Sequence, residues 1–460
     1  MSPVPLKSPT ILLGLLGLLL LGGLAHQHPE LRQVDFLSFS GRSRRLLEGQ
    51  DWVHPLYPSG YPMLLWLGRL PGLDLLVVGK LISVVAGVGA VMLASRWLHP
   101  ICGLWLLAHG ALLHWGSSEG TDVLAATLSI AAILSAEQGR SRTAGLSLGL
   151  ACMVRYTSLG ALPVVLCMLW MRAPPEHRVS QLVRLTRTTL LFTLPHWIAA
   201  LLSWRSPIPD QAFNLAVSAG HPTELWSMDT LHRWPTGTRL ALERALADWT
   251  TRIGLVGLVL AWLKRDARAW ALTGFALVHV ALIGLAFGSD RLLLPASMAF
   301  SLGIFGVLPT RHQVRPRAFT LACIGLGAII LMRQEVSQLS QQSPDVVQRQ
   351  EAVRIVQELP GPVLSSTPWL YQVHNGWLEQ SIPLRRAAFD PDSGRAVGDH
   401  AIRPAQLHAF AQQRQISTIA LDINRTGASY RSLLPLLRSE PPQGFRRVNE
   451  APGWVFLQVE

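Results

Sequence analysis

Charge is scarce in this chain. Asp, Glu, Lys and Arg make up 15% of its 460 residues while 49% are hydrophobic, well below the charged fraction of about 25% usual for soluble domains. Apolar runs recur from residue 8 to residue 332, each too long and too uncharged for a water-soluble fold. Cysteine is scarcer still. Cys102, Cys152, Cys167 and Cys323 all lie inside those runs, where two sulfurs would have to meet between packed helices, so no disulfide framework is implied and the redox compartment stays unread. Acidic residues number 28 against 40 Lys and Arg, a net charge of +12. The basic surplus falls mostly in short breaks between apolar runs, as loops retained in the cytoplasm require, so no nucleic-acid partner is needed to explain it. His109, His114, His196 and His279 lie in apolar runs without the carboxylate or Cys spacing of a zinc site. Solenoid-type repeats and low-complexity tracts are also missing.

What the chain does have is a series of candidate spans: 8–25, 73–97, 99–116, 120–137, 143–154, 158–171, 189–204, 252–264, 269–287, 291–309 and 317–333. Some are shorter than the ~20 helical residues of a full crossing, so they borrow flanking residues or are buried among neighbours. The stretch Thr143 to Met171 decides the parity. As one helix it would place Arg155 near mid-membrane and export the basic segment with Arg172, Arg178, Arg184 and Arg187. A break at Arg155-Tyr156-Thr157 avoids both and keeps that segment on the side of Arg140, Arg142, Lys264, Arg265, Arg268, Arg311, Arg315 and Arg317. About eleven crossings follow, with the amino terminus inside and the carboxyl terminus outside. The first run is alternatively a cleaved signal peptide, since Lys7 precedes an apolar core and Gly22-Gly23-Leu24-Ala25 offers small residues; the ten further crossings favour a retained helix.

The fold class expected is therefore an α-helical polytopic membrane protein, residues 1–333, followed by a soluble extracytoplasmic α/β domain, residues 334–460. In the tail the patterns predict helix at Val346 to Leu359, strand near Val363, strand at Thr418 to Ile423, helix at Tyr430 to Arg438, and a closing hairpin turned at Ala451-Pro452-Gly453. Four outward segments result: the first loop at 26–72, the turn Ser117-Ser118-Glu119-Gly120-Thr121-Asp122, the loop 205–251, and the turn Gly288-Ser289-Asp290-Arg291. The first loop is rich in Leu, Trp and Tyr and carries Arg42-Ser43-Arg44-Arg45. Such a segment is expected to lie in the interface as amphipathic helices. Cations beside aromatic rings at headgroup depth suit a lipid phosphate, although ordinary interfacial anchoring explains the same composition. In the same loop, Asp35 is a carboxylate held beside the membrane surface and a candidate base, with a helix cap or a partner for Arg32 or Arg42 as the alternative.

Five short motifs occur in order: Val34-Asp35-Phe36, the Gly49 to Pro62 segment ending Tyr57-Pro58-Ser59-Gly60-Tyr61-Pro62, Gly120-Thr121-Asp122 opening a helix, Ala144-Gly145 leading to Val154-Arg155-Tyr156, and Asp290-Arg291-Leu292-Leu293-Leu294-Pro295. On these residues the chain, over roughly 8–332, resembles membrane glycosyltransferases of the GT-C class, close to bacterial protein O-mannosyltransferases and aminoarabinose transferases. It departs from them in two places: many relatives carry an acidic pair where Asp35-Phe36 stands, and the tyrosine-containing ending of the Arg-Leu-Leu-Leu-Pro motif is missing. The first departure makes a metal-dependent variant less expected; no cofactor is implied, and assistance by a divalent metal stays open.

The resemblance implies transfer of a sugar from a polyprenyl-phosphate donor, with inversion, to a lipid, glycan or protein acceptor at the outer face of a bacterial inner membrane. Asp35 would take the acceptor hydroxyl's proton while nearby cations stabilise the departing phosphate. Phosphate leaves readily without protonation, so the carboxylate pair of glycoside hydrolases is unnecessary. Arg155 and Arg291, each at an outward turn, are the candidates for the phosphate, with structural pairing to Asp122 or Asp290 as the alternative. Asp122 orients the acceptor, holds Arg155, or only favours its helix dipole. Lys80 reaches the same phosphate or snorkels. Arg45 adds charge at headgroup depth, and His54, Tyr57 and Tyr61 bind sugar hydroxyls or phosphate, or anchor the loop. Two other readings compete: a transporter or lipid-linked-sugar flippase without glycosyl transfer, and a catalytically silent scaffold. The first is disfavoured by the lack of duplicated halves and of mid-membrane charge.

Overall fold

The computed structural model of the chain describes residues 8–28, 58–204, 228–286, 290–308, 314–340, 363–366, 388–390, 395–397, 403–424 and 431–460, with single residues between 36 and 46, between 348 and 359, and at 426. Internal contacts divide the chain into two compact units, Met1–Pro29 with Arg42–Ser340, and Glu30–Gly41 with Gln341–Glu460.

The first unit is helical. Its described helices are α1 (Ser8–Gln27), α2 (Gly60–Arg69), α3 (Leu75–Trp97), α4 (Pro100–Leu107), α5 (Gly110–Gly116), α6 (Asp122–Glu137), α7 (Ser141–Val154), α8 (Leu162–Arg172) and α9 (Arg178–Trp204). After them come α10 (Met228–Ala245), α11 (Trp249–Leu263), α12 (Ala267–Ala286), α13 (Leu294–Leu302) and α14 (Val314–Ser340). Among the described residues four helices are long and apolar enough to cross a membrane: Pro9–Gln27, Leu75–Trp97, Ala267–Gly284 and Ala318–Ser340. A fifth span results if the pair Trp234–Ala245 and Trp249–Leu263, bent by 104° at its break, is counted as one. This is an integral membrane protein.

Several expected spans are interrupted, for local reasons. The run 143–171 breaks where the guanidinium demands it: α7 ends at Val154, Arg155 is extended, and a 3-10 turn, Tyr156–Ala161, leads into α8. The expected span 99–116 is instead two short helices, because Asp248, from the break before α11, accepts the Gly110 amide at 2.9 Å and its Oδ2 lies 3.2 Å from His109 Nδ1. A carboxylate brought from elsewhere caps a new helix start and ends the old one. The expected span 291–309 is a 3-10 turn (Asp290–Leu293), then α13, then a second 3-10 turn (Gly303–Val307). All nine residues of α13 are buried, so it fills the interior rather than facing lipid.

Small residues set a close helix contact between α7 and α9. A Cβ on Gly145 would lie 2.6 Å from the Leu185 carbonyl, and one on Gly149 would lie 3.1 Å from that of Thr189. Glycines four apart on α7 therefore let α9 approach backbone to backbone, in parallel register. Thr189 Oγ1 adds a hydrogen bond to the Gly145 carbonyl at 3.3 Å.

The second unit contains a four-stranded sheet of order β1-β4-β6-β5, from β1 (Val363–Ser365), β4 (Thr418–Asp422), β5 (Phe445–Ala451) and β6 (Trp454–Val459), with β1 parallel to β4. A separate two-stranded pair joins β2 (Ala388–Asp390) to β3 (Arg395–Val397). The expected hairpin turn is present: Ala451 pairs with Trp454 across Pro452-Gly453, and Gly453 has φ of +80°, as a Pro-Gly turn of type II requires. The segment expected as helix at 430–438 is a 3-10 helix, Arg431–Leu437, with Pro435 inside it. Helix α15 (Pro404–Gln413) was not expected from the sequence.

Candidate functional site

The turn between α5 and α6 reads as a polar loop, Ser117-Ser118-Glu119-Gly120-Thr121-Asp122, yet it lies inside the protein. Ser117, Ser118, Glu119, Thr121 and Asp122 are each at most 2% exposed. Burying such a segment is costly unless its polar atoms find partners. Gly120 supplies two. With φ of +149°, a conformation open to glycine and strained for L side chains, it donates its amide to Tyr61 Oη at 3.0 Å and accepts from Ser83 Oγ at 3.4 Å.

Tyr61 comes from α2, which is held from two sides. Ser59, at the N-cap position of α2, contacts His196 Nδ1 through its Oγ at 2.8 Å, and His196 Nε2 meets Tyr156 Oη at 2.6 Å. Helix α2, the 3-10 turn after Arg155, and α9 are thus joined by one buried polar chain. Burial first, then the neighbouring carboxylates of Glu119 and Asp122, hold the Tyr61 phenol far above its ordinary range. It stays protonated and able to donate a hydrogen bond.

Asp122 opens α6, as expected, where its charge suits the helix dipole. Its Oδ1 lies 3.1 Å from Arg155 Nε, and Arg155 Nη1 donates to Thr121 Oγ1 at 3.2 Å. Asp122 Oδ2 is buried and has no hydrogen-bond partner among the described residues. The pair is asymmetric in exposure, 2% for Asp122 and 14% for Arg155, although Arg155 Nε is itself buried. His279 ties a third element to this place: its Nε2 contacts the Leu292 carbonyl at 2.8 Å, next to Arg291, and a Cβ on Gly160, in the 3-10 turn after Arg155, would lie 3.6 Å from its Nδ1. Lys80 does not snorkel. It is buried in α3, one turn before Ser83, and its Nζ donates to the His28 carbonyl at the end of α1.

Of the residues singled out from sequence, Tyr61, Asp122 and Arg155 come together around the Glu119–Asp122 turn. Arg291 adjoins them through Leu292 and His279, and Lys80 lies one helical turn from a residue that touches Gly120. Asp35, Arg45, His54 and Tyr57 lie outside the described residues. Sequence reasoning missed Glu119, Thr121, Ser59, Tyr156 and His196 as members of the polar network. The cue available was the density of polar side chains in Ser117 to Asp122, which reads equally well as an exposed turn. A second buried cluster, His109 with Asp248 and Ser297 (His109 Nε2 to Ser297 Oγ, 3.2 Å), was also missed. Among the described residues no group of three or more His, Cys, Asp and Glu is arranged to hold a metal ion.

No protein-family model and no curated protein matches the chain. Among solved structures it is similar to ArnT from Cupriavidus metallidurans bound to undecaprenyl phosphate, at 14% identity, 97% coverage of each chain and a TM-score of 0.59. It is similar also to the same protein in the apo state, at 13% identity, 97% coverage of each chain and a TM-score of 0.62. The chain thus has the fold of ArnT, an aminoarabinose transferase of the GT-C class, in line with the resemblance its ordered motifs carry.

Proposed function

We propose that this chain is an inverting glycosyltransferase that moves a sugar from a polyprenyl-phosphate donor to an acceptor at the extracytoplasmic face of the membrane. The observation that carries the reading is the convergence of Tyr61, Asp122 and Arg155 on one buried turn, in a chain with the ArnT fold over 97% of its length. The undecaprenyl phosphate bound by one of those ArnT structures makes a polyprenyl phosphate the natural donor class.

In this reading the acceptor hydroxyl attacks the anomeric carbon, and its proton passes to Asp35. The bond between that carbon and the phosphate oxygen breaks, and polyprenyl phosphate departs with the electron pair. Arg155 and Arg291 take the charge that grows on the phosphate, guanidinium geometry being suited to two-point contact. Asp122 holds Arg155 and offers its second oxygen to a sugar or acceptor hydroxyl, and the protonated Tyr61 phenol orders the turn. Lys80 adds positive charge behind it. Arg45, His54 and Tyr57 receive the donor from the membrane surface. An ordinary Asp pKa of about 4 makes a weak base at pH 7, so the proton moves late, once the new C–O bond is nearly formed.

The test uses the purified full chain in detergent with a short-chain polyprenyl-phosphate sugar, following release of polyprenyl phosphate and gain of sugar by the acceptor. Turnover in detergent is expected. A chain that binds the donor but turns over none of it, and moves it only across sealed vesicles, would replace this reading with lipid translocation.

A further inference from the structure

A groove of about 1180 Å³ runs along α9, walled by apolar side chains including Leu191, Leu194 and Ile198, with Arg142, Arg184 and Arg187 nearer its N-terminal part, where Val179 and Val183 also line it. A smaller hollow of about 350 Å³ lies between Arg140, Arg142 and Arg184. This place is far from the turn at Arg155. Arg142 and Arg155 are at opposite ends of α7, and 13 residues at 1.5 Å each separate them by roughly 20 Å. The register between α7 and α9 agrees: Gly145 meets Leu185 at the arginine end, and Tyr156 meets His196 at the other.

Clustered arginines at one end of a helical membrane unit follow from topology alone. The groove does not. Leu191 is 70% exposed and Val183 59%, directly beside guanidinium groups that have no carboxylate partner among the described residues. A ligand that satisfies both must be anionic at one end and a hydrocarbon chain at the other. From Arg187 to Ile198, 11 residues of helix cover about 16 Å, close to half of a ~30 Å hydrocarbon core. That is the depth of one leaflet.

We infer that Arg142, Arg184 and Arg187, with the apolar groove of α9, form a binding site for an anionic glycerophospholipid in the leaflet opposite the Arg155 turn. The phosphate rests on the arginines, and one acyl chain lies along Leu191, Leu194 and Ile198. Arg140 adds charge at the rim. The site is separate from the sugar-transfer machinery and does not depend on that reading.

Lipid retention by the intact chain in detergent, read by native mass spectrometry, tests this with phosphatidylglycerol, phosphatidylcholine and inorganic phosphate as probes. Phosphatidylglycerol is expected to be retained over phosphatidylcholine by on the order of a hundredfold, from about a factor of five for each of three arginines at an anionic surface. The preference should collapse in Arg184→Gln/Arg187→Gln and persist in Arg184→Lys/Arg187→Lys. Leu191→Trp, which fills the groove and leaves the arginines intact, should weaken retention even if the Gln variant fails to fold. Equal retention of the two lipids, an unchanged preference in the folded Gln variant, unchanged retention in Leu191→Trp, or full displacement by millimolar inorganic phosphate would each overturn the site. The last result would assign the cluster to a soluble anion.

Discussion

A buried carboxylate needs a partner for its oxygens, and Asp122 has Arg155. Removing one member of such a pair leaves an uncompensated charge, at a cost of about 3–5 kcal/mol. Arg155→Gln is therefore expected to lower stability as well as transfer, and lost activity in that variant alone says little about phosphate binding. The double variant Asp122→Asn/Arg155→Gln separates the two effects. Its thermal unfolding should show less destabilisation than the sum of the single variants, with a coupling of roughly 1–3 kcal/mol, while transfer stays low. Additive losses would mean that the pair is not coupled. Gly120 is the other sensitive residue. Gly120→Ala places a side chain at φ of +149° and should cost about 1–3 kcal/mol, read as a drop in unfolding midpoint.

At the scale of the element, α6 is fixed at both ends, by Asp122 to Arg155 and by Glu137 to Arg172. Sixteen residues make it about 24 Å long, and its two ion pairs set the distance between the site and the far surface. Glu137 opposes the helix dipole at its carboxyl end, which Arg172 offsets. Asp266, between α11 and α12, is a simpler case. Its Oδ1 accepts the Arg268 amide at 2.9 Å, capping α12, and its Oδ2 meets Arg268 Nη2 at 2.6 Å. Burial pushes its carboxyl up, but the hydrogen bonds and charge of Arg268 outweigh it and hold the group below its usual range. A depressed folded-state value means the stabilisation is present above the unfolded value of about 3.9 and is lost as pH falls through the folded one. Wild type and Asp266→Asn should therefore differ in unfolding temperature at pH 7 and converge in strong acid. These elements also show what a sequence can reveal. The break at Arg155 was legible because a guanidinium at mid-membrane is intolerable whatever surrounds it. The break at His109 was not, because its cause, Asp248, is 138 residues away from Gly110. The burial of Ser117 to Asp122 was hidden for the same reason: its partners come from Tyr61, Ser83 and Arg155, and a polar turn looks alike inside or out.

For the molecule as a whole, composition sufficed to read a helical membrane protein with an α/β tail, and motif order sufficed to suggest the ArnT fold despite 14% identity. The number of crossings was harder to read, since short apolar helices such as α13 fill the interior instead of spanning. Sidedness is open to a direct check. In sealed vesicles, single cysteines at Gln138→Cys and Thr157→Cys, in a chain cleared of its four native cysteines, should be labelled by an impermeant thiol reagent from opposite faces; labelling from one face would refute the crossing pattern. The central claim is sugar transfer with Asp35 as base. Its most direct measurement is the rate and the anomeric configuration of the product, by NMR, for wild type and a folded Asp35→Asn variant on the same polyprenyl-phosphate donor. The account expects an inverted product and a loss of about 10²–10⁴-fold in the variant; a retained configuration, or an undiminished rate without that carboxylate, would contradict it.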